Sequence, residues 1–194
     1  ARHWSSDNGR KVDATDHKPF STEFSFTRFL VPSLCQWDGW AIFVDCDFLF
    51  MADLCEITKS FDDKYAVMCC RQNYVPQSEI KMDGQVQQKY NRKNWSSFMA
   101  FNCGHPANRM LSPERVNKEY GSWLHGFGWL KDEEIGDLDH RWNWLFGTTQ
   151  GKPLAVHYSE GGPWFKNYQN CAYAEDWLDE AYRIGIKHDR MAAA

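Results

Sequence analysis

Short apolar runs alternate with polar segments along most of the chain after residue 20. Runs bounded by glycine, proline and polar residues are typical of strands covered on both faces of a sheet. The pattern therefore predicts buried strands at residues 40–44, at 65–70, within 96–106 and at Leu154–Val156.

Helical spacing marks several of the segments between these strands. Phe26, Phe29 and Leu30 recur at helical spacing after Ser21 or Thr22, either of which can cap a helix, and Pro32 makes continuation of that helix difficult. The other predicted helices lie at 51–60, from Pro113 onward, in a short segment within 136–147, and at 174–188, where the pattern is amphipathic.

Alternating strands and helices predict one α/β domain with a mixed, mostly parallel sheet flanked by helices. We expect this domain to span residues 20–170. Residues 1–19 are polar throughout and are expected to form an irregular segment, and residues 171–194 a C-terminal amphipathic helix and tail. A chain of 194 residues with 43% hydrophobic content can bury a core of this size.

The net charge of −4 and the pI of about 6.0 disfavour nucleic acid as a partner, because no basic excess is available for a phosphate backbone. A single phosphate group bridged by a metal ion remains compatible with this charge. No apolar window approaches 18 residues and no signal peptide is visible. We therefore expect a cytoplasmic protein without a transmembrane segment, and we leave peripheral membrane contact open.

The seven cysteines are odd in number and lack Cys-x-x-Cys spacing. This predicts reduced thiols of a cytosolic protein. The alternative is a zinc site using Cys69 and Cys70 or the pair Cys103 and His105, but a tetrahedral site needs four convergent ligands.

Two carboxylates stand at the end of the first apolar run, which reads "WAIFVDCDFLF". In an extended strand Asp45 and Asp47 point to the same side and Cys46 points away. Two like charges so close are tolerable at a sheet edge if a hard cation such as Mg²⁺ or Mn²⁺ lies between them. Otherwise, both aspartates simply cap the following turn.

A histidine ends the last apolar run and precedes a glycine loop, in "AVHYSEGGPWF". His157 could ligate the same ion as the aspartates, and an imidazole ligand favours Mn²⁺ over Mg²⁺. The backbone N–H groups of the loop could approach an anion closely. Alternatively, His157 is a hydrogen-bonded core histidine.

The order of these motifs resembles glycosyltransferase family 8, the group of glycogenin and the bacterial lipopolysaccharide galactosyltransferases, which has a GT-A, Rossmann-like fold. The resemblance covers roughly residues 20–170 and rests on four motifs in order. They are the helix and Asp-x-Asp strand in "STEFSFTRFLVPSL" and "WAIFVDCDFLF", the strand "FMAFNCGHP", the acceptor segment "IGDLDHRWNWLFG" and the C-terminal "HYSEGGPW".

This resemblance implies a donor site. Asp45 would contact the ribose of the nucleotide or the metal, Asp47 would bind the metal directly, and His157 would be the third protein ligand. Asn102 would hydrogen-bond the donor sugar, unless it only satisfies backbone groups at a strand end. Arg28 would lie near the diphosphate or the sugar hydroxyls, unless it only pairs with a surface carboxylate.

The resemblance also implies an acceptor side. Asn143, and less directly Asp137 and Asp139, would face the acceptor. The alternative for Asn143 is that it caps a turn or packs beside the tryptophans that flank it, Trp142 and Trp144.

Gly161, Gly162 and Trp164 would shape the loop that meets the diphosphate. This loop is one residue shorter than the family pattern, and Gly162 stands where the family has a lysine, so Lys166 would have to substitute. Nothing before Phe20 is an apolar strand, so the first β-α-β unit of the family is expected to be missing or supplied differently.

The sequence thus predicts a metal-dependent glycosyltransferase that moves a sugar from a nucleotide-sugar donor, by resemblance a UDP-sugar, to a glycan or other hydroxyl acceptor with retention. Manganese (Mn²⁺), or magnesium (Mg²⁺), would be the cofactor. Two alternatives stay open: a nucleotide- or carbohydrate-binding module that has lost turnover, and a phosphatase or phosphotransferase of the haloacid dehalogenase type.

Overall fold

The computed structural model describes residues 2–7, 10–20, 22, 25–72, 92 and 94–186. Within these residues the chain is a mixed α/β structure with several sheets and few helices. The strands are β1 (Trp4–Asp7), β2 (Arg10–Asp13), β3 (Pro19–Phe20), β4 (Trp40–Val44), β5 (Phe48–Phe50), β6 (Val67–Cys69), β7 (Phe98–Asn102), β8 (Ile135–Asp137) and β9 (Ala155–His157).

The helices of the described residues are short. The α-helices are α1 (Val31–Leu34), α2 (Pro113–Lys118), α3 (Gly121–His125) and α4 (Ala174–Arg183). The 3₁₀ turns are Thr27–Leu30, Leu54–Ser60, Trp95–Ser97, Pro106–Met110, Asp132–Glu134, His140–Asn143 and Lys166–Tyr168.

The largest sheet has the order β4-β7-β6-β8 and is mixed, as predicted. The prediction that parallel pairing would dominate is wrong. In the part of the chain that the structure describes, β7 pairs antiparallel with both β4 and β6, and only β6 and β8 pair parallel. The predicted strands at 40–44, 65–70 and within 96–106 are confirmed, whereas β8 lies in a segment that was expected to be a loop.

Both faces of this sheet are buried, which explains the continuous apolar runs of its inner strands. Alternate residues point to opposite faces. On β7, Met99 and Phe101 pack into one cluster with Phe29 and Leu124, and Phe98 packs into another on the other face. Strand β4 lies at an edge of the sheet within the described residues and is half-buried rather than fully buried.

A second sheet pairs β5 with β9, antiparallel. Strand β9 confirms the strand predicted at the end of the chain's last apolar run, shifted by one residue to include His157. Behind it, Leu49, Val156 and Tyr158 form a third cluster that also contacts Trp177 of α4. This small sheet places β9, from the C-terminal part of the chain, near the end of β4.

The N-terminal residues correct the expectation of an irregular segment. Strands β1, β2 and β3 form a three-stranded antiparallel sheet. The ion pair of Arg2 with the buried Asp13, and the guanidinium of Arg2 stacked 3.8 Å from the Phe26 ring centroid, fix this sheet to the rest of the molecule. The segment is too polar for hydrophobic alternation to reveal its strands.

Pro32 does not end a helix, as the sequence suggested, but lies in the first turn of α1. Proline is tolerated there because the first backbone N–H groups of a helix have no intrahelical acceptor. The predicted helix therefore divides into the 3₁₀ turn at Thr27–Leu30 and α1. Ser21, a proposed cap, lies outside the described residues.

The predicted helix start at Pro113 is confirmed, with the side chain of Ser112 capping α2. The segment 51–60 forms the 3₁₀ turn Leu54–Ser60. The amphipathic C-terminal helix is confirmed as α4, whose buried residues are Ala174, Leu178 and Ala181. None of the helices in the described residues has the length and apolar character needed to cross a membrane.

Asn108 joins the ends of the sheet strands to the helical layer. It is fully buried; its Nδ2 donates to the carbonyl oxygens of Ala66 and Asn102, both at 2.8 Å, and its Oδ1 accepts from Trp129 Nε1 at 3.1 Å. All the polar atoms of the side chain are therefore satisfied in a dry environment.

Replacing Asn108 with alanine is expected to lower the free energy of unfolding by about 3 kcal/mol, because three buried partners lose their hydrogen bonds. Urea denaturation measures this. The matched control is Asn167→Ala at an exposed position, which should change stability by less than about 0.5 kcal/mol. A loss at Asn108 no larger than at Asn167 would contradict the interpretation.

Candidate metal centre

Asp45, Cys46 and Asp47 form the turn that leads from β4 into β5. The backbone N–H of Asp45 still donates to the carbonyl of Ser97, at 2.9 Å, which continues the pairing of β4 with β7 by one residue. The two aspartates therefore do not share one face of a continuous strand, as the sequence suggested. They belong to a turn between two different sheets.

The pairing of β5 with β9 brings the histidine to this turn. Phe48 is the register partner of His157, and the two rings stack with centroids 4.3 Å apart. The next residue, Tyr158, donates its backbone N–H to the carbonyl of Asp47 at 2.9 Å. Residues more than 100 positions apart in sequence are thereby fixed side by side.

The ligating atoms of Asp45, Asp47 and His157 all lie within 4.8 Å of one another. His157 Nε2 is 3.5 Å from Asp47 Oδ1. The histidine side chain is 3% exposed, and those of Asp45 and Asp47 are 19% and 16% exposed. The predicted convergence of the two acids with the imidazole is confirmed, and this group could hold a metal ion.

Two carboxylates and one imidazole are a chemically consistent donor set for a divalent cation. Carboxylate oxygens suit Mg²⁺ and Mn²⁺, and imidazole suits the transition metals, so the combination leans toward Mn²⁺. Three protein ligands leave coordination positions for a further ligand. Partial burial also reduces the screening of the cation by solvent.

Arg28 holds Asp45 from the other side. Its Nη2 lies 2.8 Å from Asp45 Oδ1 and its Nη1 lies 3.2 Å from Oδ2, so the contact is bidentate. The buried guanidinium also donates to the carbonyl oxygens of Ser25, at 3.0 Å, and Ser96, at 2.7 Å. The partner of Arg28 is thus Asp45 of the metal group, not the surface carboxylate of the alternative interpretation, and its predicted contact with a diphosphate or sugar stays a prediction.

Asn143 holds His157. Its Oδ1 lies 2.8 Å from His157 Nδ1, and its Nδ2 donates to the carbonyl oxygen of Asn94 at 3.1 Å. The side chain is fully buried, so an acceptor substrate in solution could not reach it. The prediction that Asn143 would face the acceptor is therefore corrected: it lies behind the histidine.

Asn102 does not reach the metal group. The register of β4 with β7 pairs Asn102 with Trp40, the first residue of β4, whereas Phe98 pairs with Val44, the last. Asn102 is thus about 17 Å along the strand from Asp45, where the aspartate turn begins. Its Nδ2 donates to the carbonyl of Asp63, at 3.2 Å. This corrects the expected contact of Asn102 with a donor sugar, because the antiparallel direction of β7 places Asn102 at the far end of β4.

Asp137 is separated from the metal group by the width of the sheet, and Asp139 is engaged by Arg141. Asp137 ends β8, three strand spacings or about 14 Å from β4. Asp139 caps the 3₁₀ turn His140–Asn143 and accepts from Arg141, whose hydrogen bonds lower the pKa of the Asp139 carboxyl. Both side chains are largely exposed, and neither is brought to the aspartate turn.

The glycine loop begins beside the site but is packed rather than open. The N–H of Gly161 donates to the carbonyl of Tyr158 at 2.9 Å. A Cβ at Gly161 would lie 2.7 Å from the Tyr168 ring, and one at Gly162 would lie 2.1 Å from the Trp164 ring. The glycines therefore permit close ring packing, which corrects the expectation of a loop with N–H groups presented to an anion.

Trp164 packs edge-on against Tyr158, with ring centroids 5.5 Å apart, and contacts Trp177 of α4. Lys166 is exposed at the start of the 3₁₀ turn Lys166–Tyr168. The side chain of Trp164 thus serves the third apolar cluster, and the structure gives Lys166 no contact with the metal group.

Within the described ranges, Asp45, Asp47 and His157 are the one group of such side chains close enough to share an ion, and no cysteine belongs to it. None of the seven cysteines is paired in a disulfide. Burial raises the pKa of Cys103 to about 12 and also raises the pKa values of Cys69 and Cys70. The zinc alternative with Cys69 and Cys70, or with Cys103 and His105, therefore has no support among the described residues.

Cys46 projects to solvent between the two aspartates. Partial burial and the carboxylates of Asp47 and Asp45 raise the pKa of its thiol. The thiol is not one of the converging ligand atoms, so the cation would be held by the oxygen and nitrogen donors of Asp45, Asp47 and His157.

Several residues near the site were not found from the sequence. Ser96 and Ser97 lie just before β7 and contact the site through their backbone. The carbonyl of Ser96 accepts from Arg28, and the carbonyl of Ser97 accepts from the backbone N–H of Asp45. Ser96 Oγ lies 2.8 Å from His125 Nδ1. No local sequence signal marks them, because the antiparallel direction of β7 is what brings the preceding "WSS" beside the aspartates.

Protein CDI from Arabidopsis thaliana is 54% identical to this chain over 181 residues, which is 89% of this chain and 69% of the Arabidopsis protein. Its name states no activity, ligand or partner. No family model and no solved structure matches the chain.

The metal group predicts saturable Mn²⁺ binding that depends on Asp47. Asp47→Asn should weaken Mn²⁺ binding about tenfold or more, because one anionic ligand becomes neutral. Loss of the free Mn²⁺ signal in electron paramagnetic resonance measures this. Asp53→Asn, an exposed aspartate whose capping bond to Cys55 asparagine can keep, is the control. Equal binding by both variants would remove Asp47 from the site.

Proposed function

The chain belongs to the family of Protein CDI, and within that family we propose that it is a metal-dependent glycosyltransferase. It would transfer a sugar from a nucleotide-sugar donor, most simply a UDP-sugar, to a glycan or other hydroxyl acceptor with retention. The observation that carries the proposal is the convergence of Asp45, Asp47 and His157 at the end of β4. These are the three positions at which the resemblance to glycosyltransferase family 8 implies metal ligands.

The finer parts of the proposal follow from that resemblance. The domain would be GT-A-like, with the donor at the edge of the sheet where β4 ends. The cation would be Mn²⁺ or Mg²⁺, and the cytoplasm, where the free thiols would stay reduced, would be the location. The free thiols and the acid–imidazole group support these choices.

Asp47 and His157 would hold the cation, and Asp45 would complete the group while staying paired with Arg28. A bound divalent cation would supply Lewis-acid chemistry to the diphosphate of the donor. Arg28 balances one of the two negative charges, so the group as a whole remains attractive to a cation. The same guanidinium keeps Asp45 from turning away when no cation is present.

The positions of the other carboxylates bear on how configuration would be retained. A double displacement needs a carboxylate against the reacting carbon. Asp137 lies across the sheet, and Asp139 is paired with Arg141. We therefore favour attack by the acceptor hydroxyl on the face from which the phosphate leaves, with the phosphate taking the proton. A glycosyl group trapped on Asp137 or Asp139 would overturn this step.

The N–H of Gly161 in the glycine loop is not available to the diphosphate of the donor. Gly161 uses its N–H within the loop, and Lys166 is the basic residue that follows. The proposal assigns Lys166 to the diphosphate, as the resemblance implies, in a bound state in which its exposed side chain has turned toward the site.

A phosphatase of the haloacid dehalogenase type is less consistent with this geometry. In such enzymes the first aspartate of the motif attacks phosphorus. Here both oxygens of Asp45 lie within hydrogen-bond or ion-pair distance of Arg28. A carboxylate held in this way is a weaker nucleophile, because its negative charge is already offset by the guanidinium.

Mn²⁺-dependent hydrolysis of a panel of UDP- and GDP-sugars tests the proposal. The wild type should release nucleotide from at least one donor, and chelation with EDTA should abolish the release. Asp47→Ala should lose the metal-dependent rate by a factor of about 100 or more. Asp53→Asn serves as the control and should retain it.

Two outcomes would count against the proposal. Binding of UDP and Mn²⁺ without any sugar release would favour a binding module that has lost turnover. Release of phosphate from a generic phosphoester, without release from any nucleotide sugar, would favour a phosphatase.

A further inference from the structure

The buried Asn143 has two hydrogen-bonding ends whose partners differ in kind. The carbonyl oxygen of Asn94 can only accept, so the amide nitrogen of Asn143 must face it, at 3.1 Å. The amide oxygen must then face His157 Nδ1, at 2.8 Å. Because an amide oxygen can only accept, Nδ1 of His157 must carry a hydrogen.

The tautomer of His157 follows from this chain of contacts. A neutral imidazole with its hydrogen on Nδ1 has a lone pair on Nε2. Nε2 is the nitrogen that faces the aspartates, 3.5 Å from Asp47 Oδ1. The stacked ring of Phe48, with its centroid 4.3 Å away, prevents the imidazole from tilting out of this plane.

We infer that Asn143 is the positioning residue of the metal centre: it sets the His157 tautomer so that the Nε2 lone pair is presented to the cation. The inference rests on the metal-binding part of the proposed function and not on sugar transfer. In this inference Asn143 orients His157 and does not contact an acceptor.

The surroundings of Asn143 keep its amide from flipping. The side chain is fully buried, and its backbone carbonyl accepts from Nε2 of the buried Gln72. Gln72 in turn accepts from Thr149 Oγ1 at 3.0 Å. A flipped amide would place its nitrogen against Nδ1–H and its oxygen against the Asn94 carbonyl, which is unfavourable at both ends.

The free, neutral histidine side chain favours the hydrogen on Nε2, so the structure requires the less common tautomer. Nitrogen-detected NMR of ¹⁵N-histidine-labelled protein reads it directly, with the signal assigned by His157→Gln. At pH 9 without metal, wild-type His157 should carry its hydrogen on Nδ1. Asn143→Ala should move it to Nε2. A hydrogen on Nε2 in the wild type would overturn the inference, whatever the protein binds.

Metal affinity gives a second readout. Asn143→Ala should weaken binding of Mn²⁺ alone about 10- to 100-fold, the usual effect of losing a hydrogen bond to a ligating histidine. Asn143→Asp keeps an acceptor for Nδ1–H but opposes the Asn94 carbonyl. It should therefore bind Mn²⁺ at least as tightly as the wild type while its thermal stability falls.

Leu145→Ala separates positioning from packing. Leu145 is buried in the same segment and is not one of the residues of the metal group. It should lose stability but keep the wild-type Mn²⁺ affinity. If Asn143→Ala and Leu145→Ala weaken Mn²⁺ binding equally, the effect is structural and the inference fails. If the wild type binds no Mn²⁺ but shows the Nδ1 tautomer, the metal proposal fails and the tautomer assignment stands.

Discussion

The antiparallel pairing of β5 with β9 is the constraint on which the candidate site depends. It sets Phe48 opposite His157 and thereby places the imidazole beside the turn that carries Asp45 and Asp47. A shift of this register by one residue would turn the His157 side chain to the other face of the strand. The third apolar cluster, which includes Leu49 and Val156, stabilises this register because its side chains would be exposed by such a shift.

Electrostatic balance is the second requirement of the site. Two carboxylates and an imidazole gathered within 4.8 Å are costly when partly removed from water. Arg28 offsets the charge of Asp45 through a bidentate contact, and its own burial is compensated by the carbonyls of Ser25 and Ser96. What remains is one negative charge beside a nitrogen lone pair, an arrangement that a divalent cation would neutralise.

Buried hydrogen bonds connect the candidate metal ligands to the surrounding segments. His157 is held by Asn143, Asn143 by the carbonyl of Asn94, and the backbone of Asn143 by Gln72. Hydrogen bonds in a low-dielectric interior rigidify the groups they join, since each lost partner leaves an expensive unpaired group. The candidate metal centre therefore rests on the same buried hydrogen bonds that join the segments at 94–97 and 143–149.

The sequence by itself determined strands β4, β6, β7 and β9, the start of α2, the amphipathic α4 and the candidate metal-binding side chains Asp45, Asp47 and His157, because hydrophobic runs and the residues that end them are local signals. It could not determine strand direction. "FNCG" suggested a donor-site asparagine, yet the antiparallel β7 carries Asn102 to the opposite end of β4. It also missed the polar N-terminal sheet and the place of Asn143 behind His157. Direction, register and the partner of a buried amide depend on contacts between distant segments, so only the tertiary structure decided them.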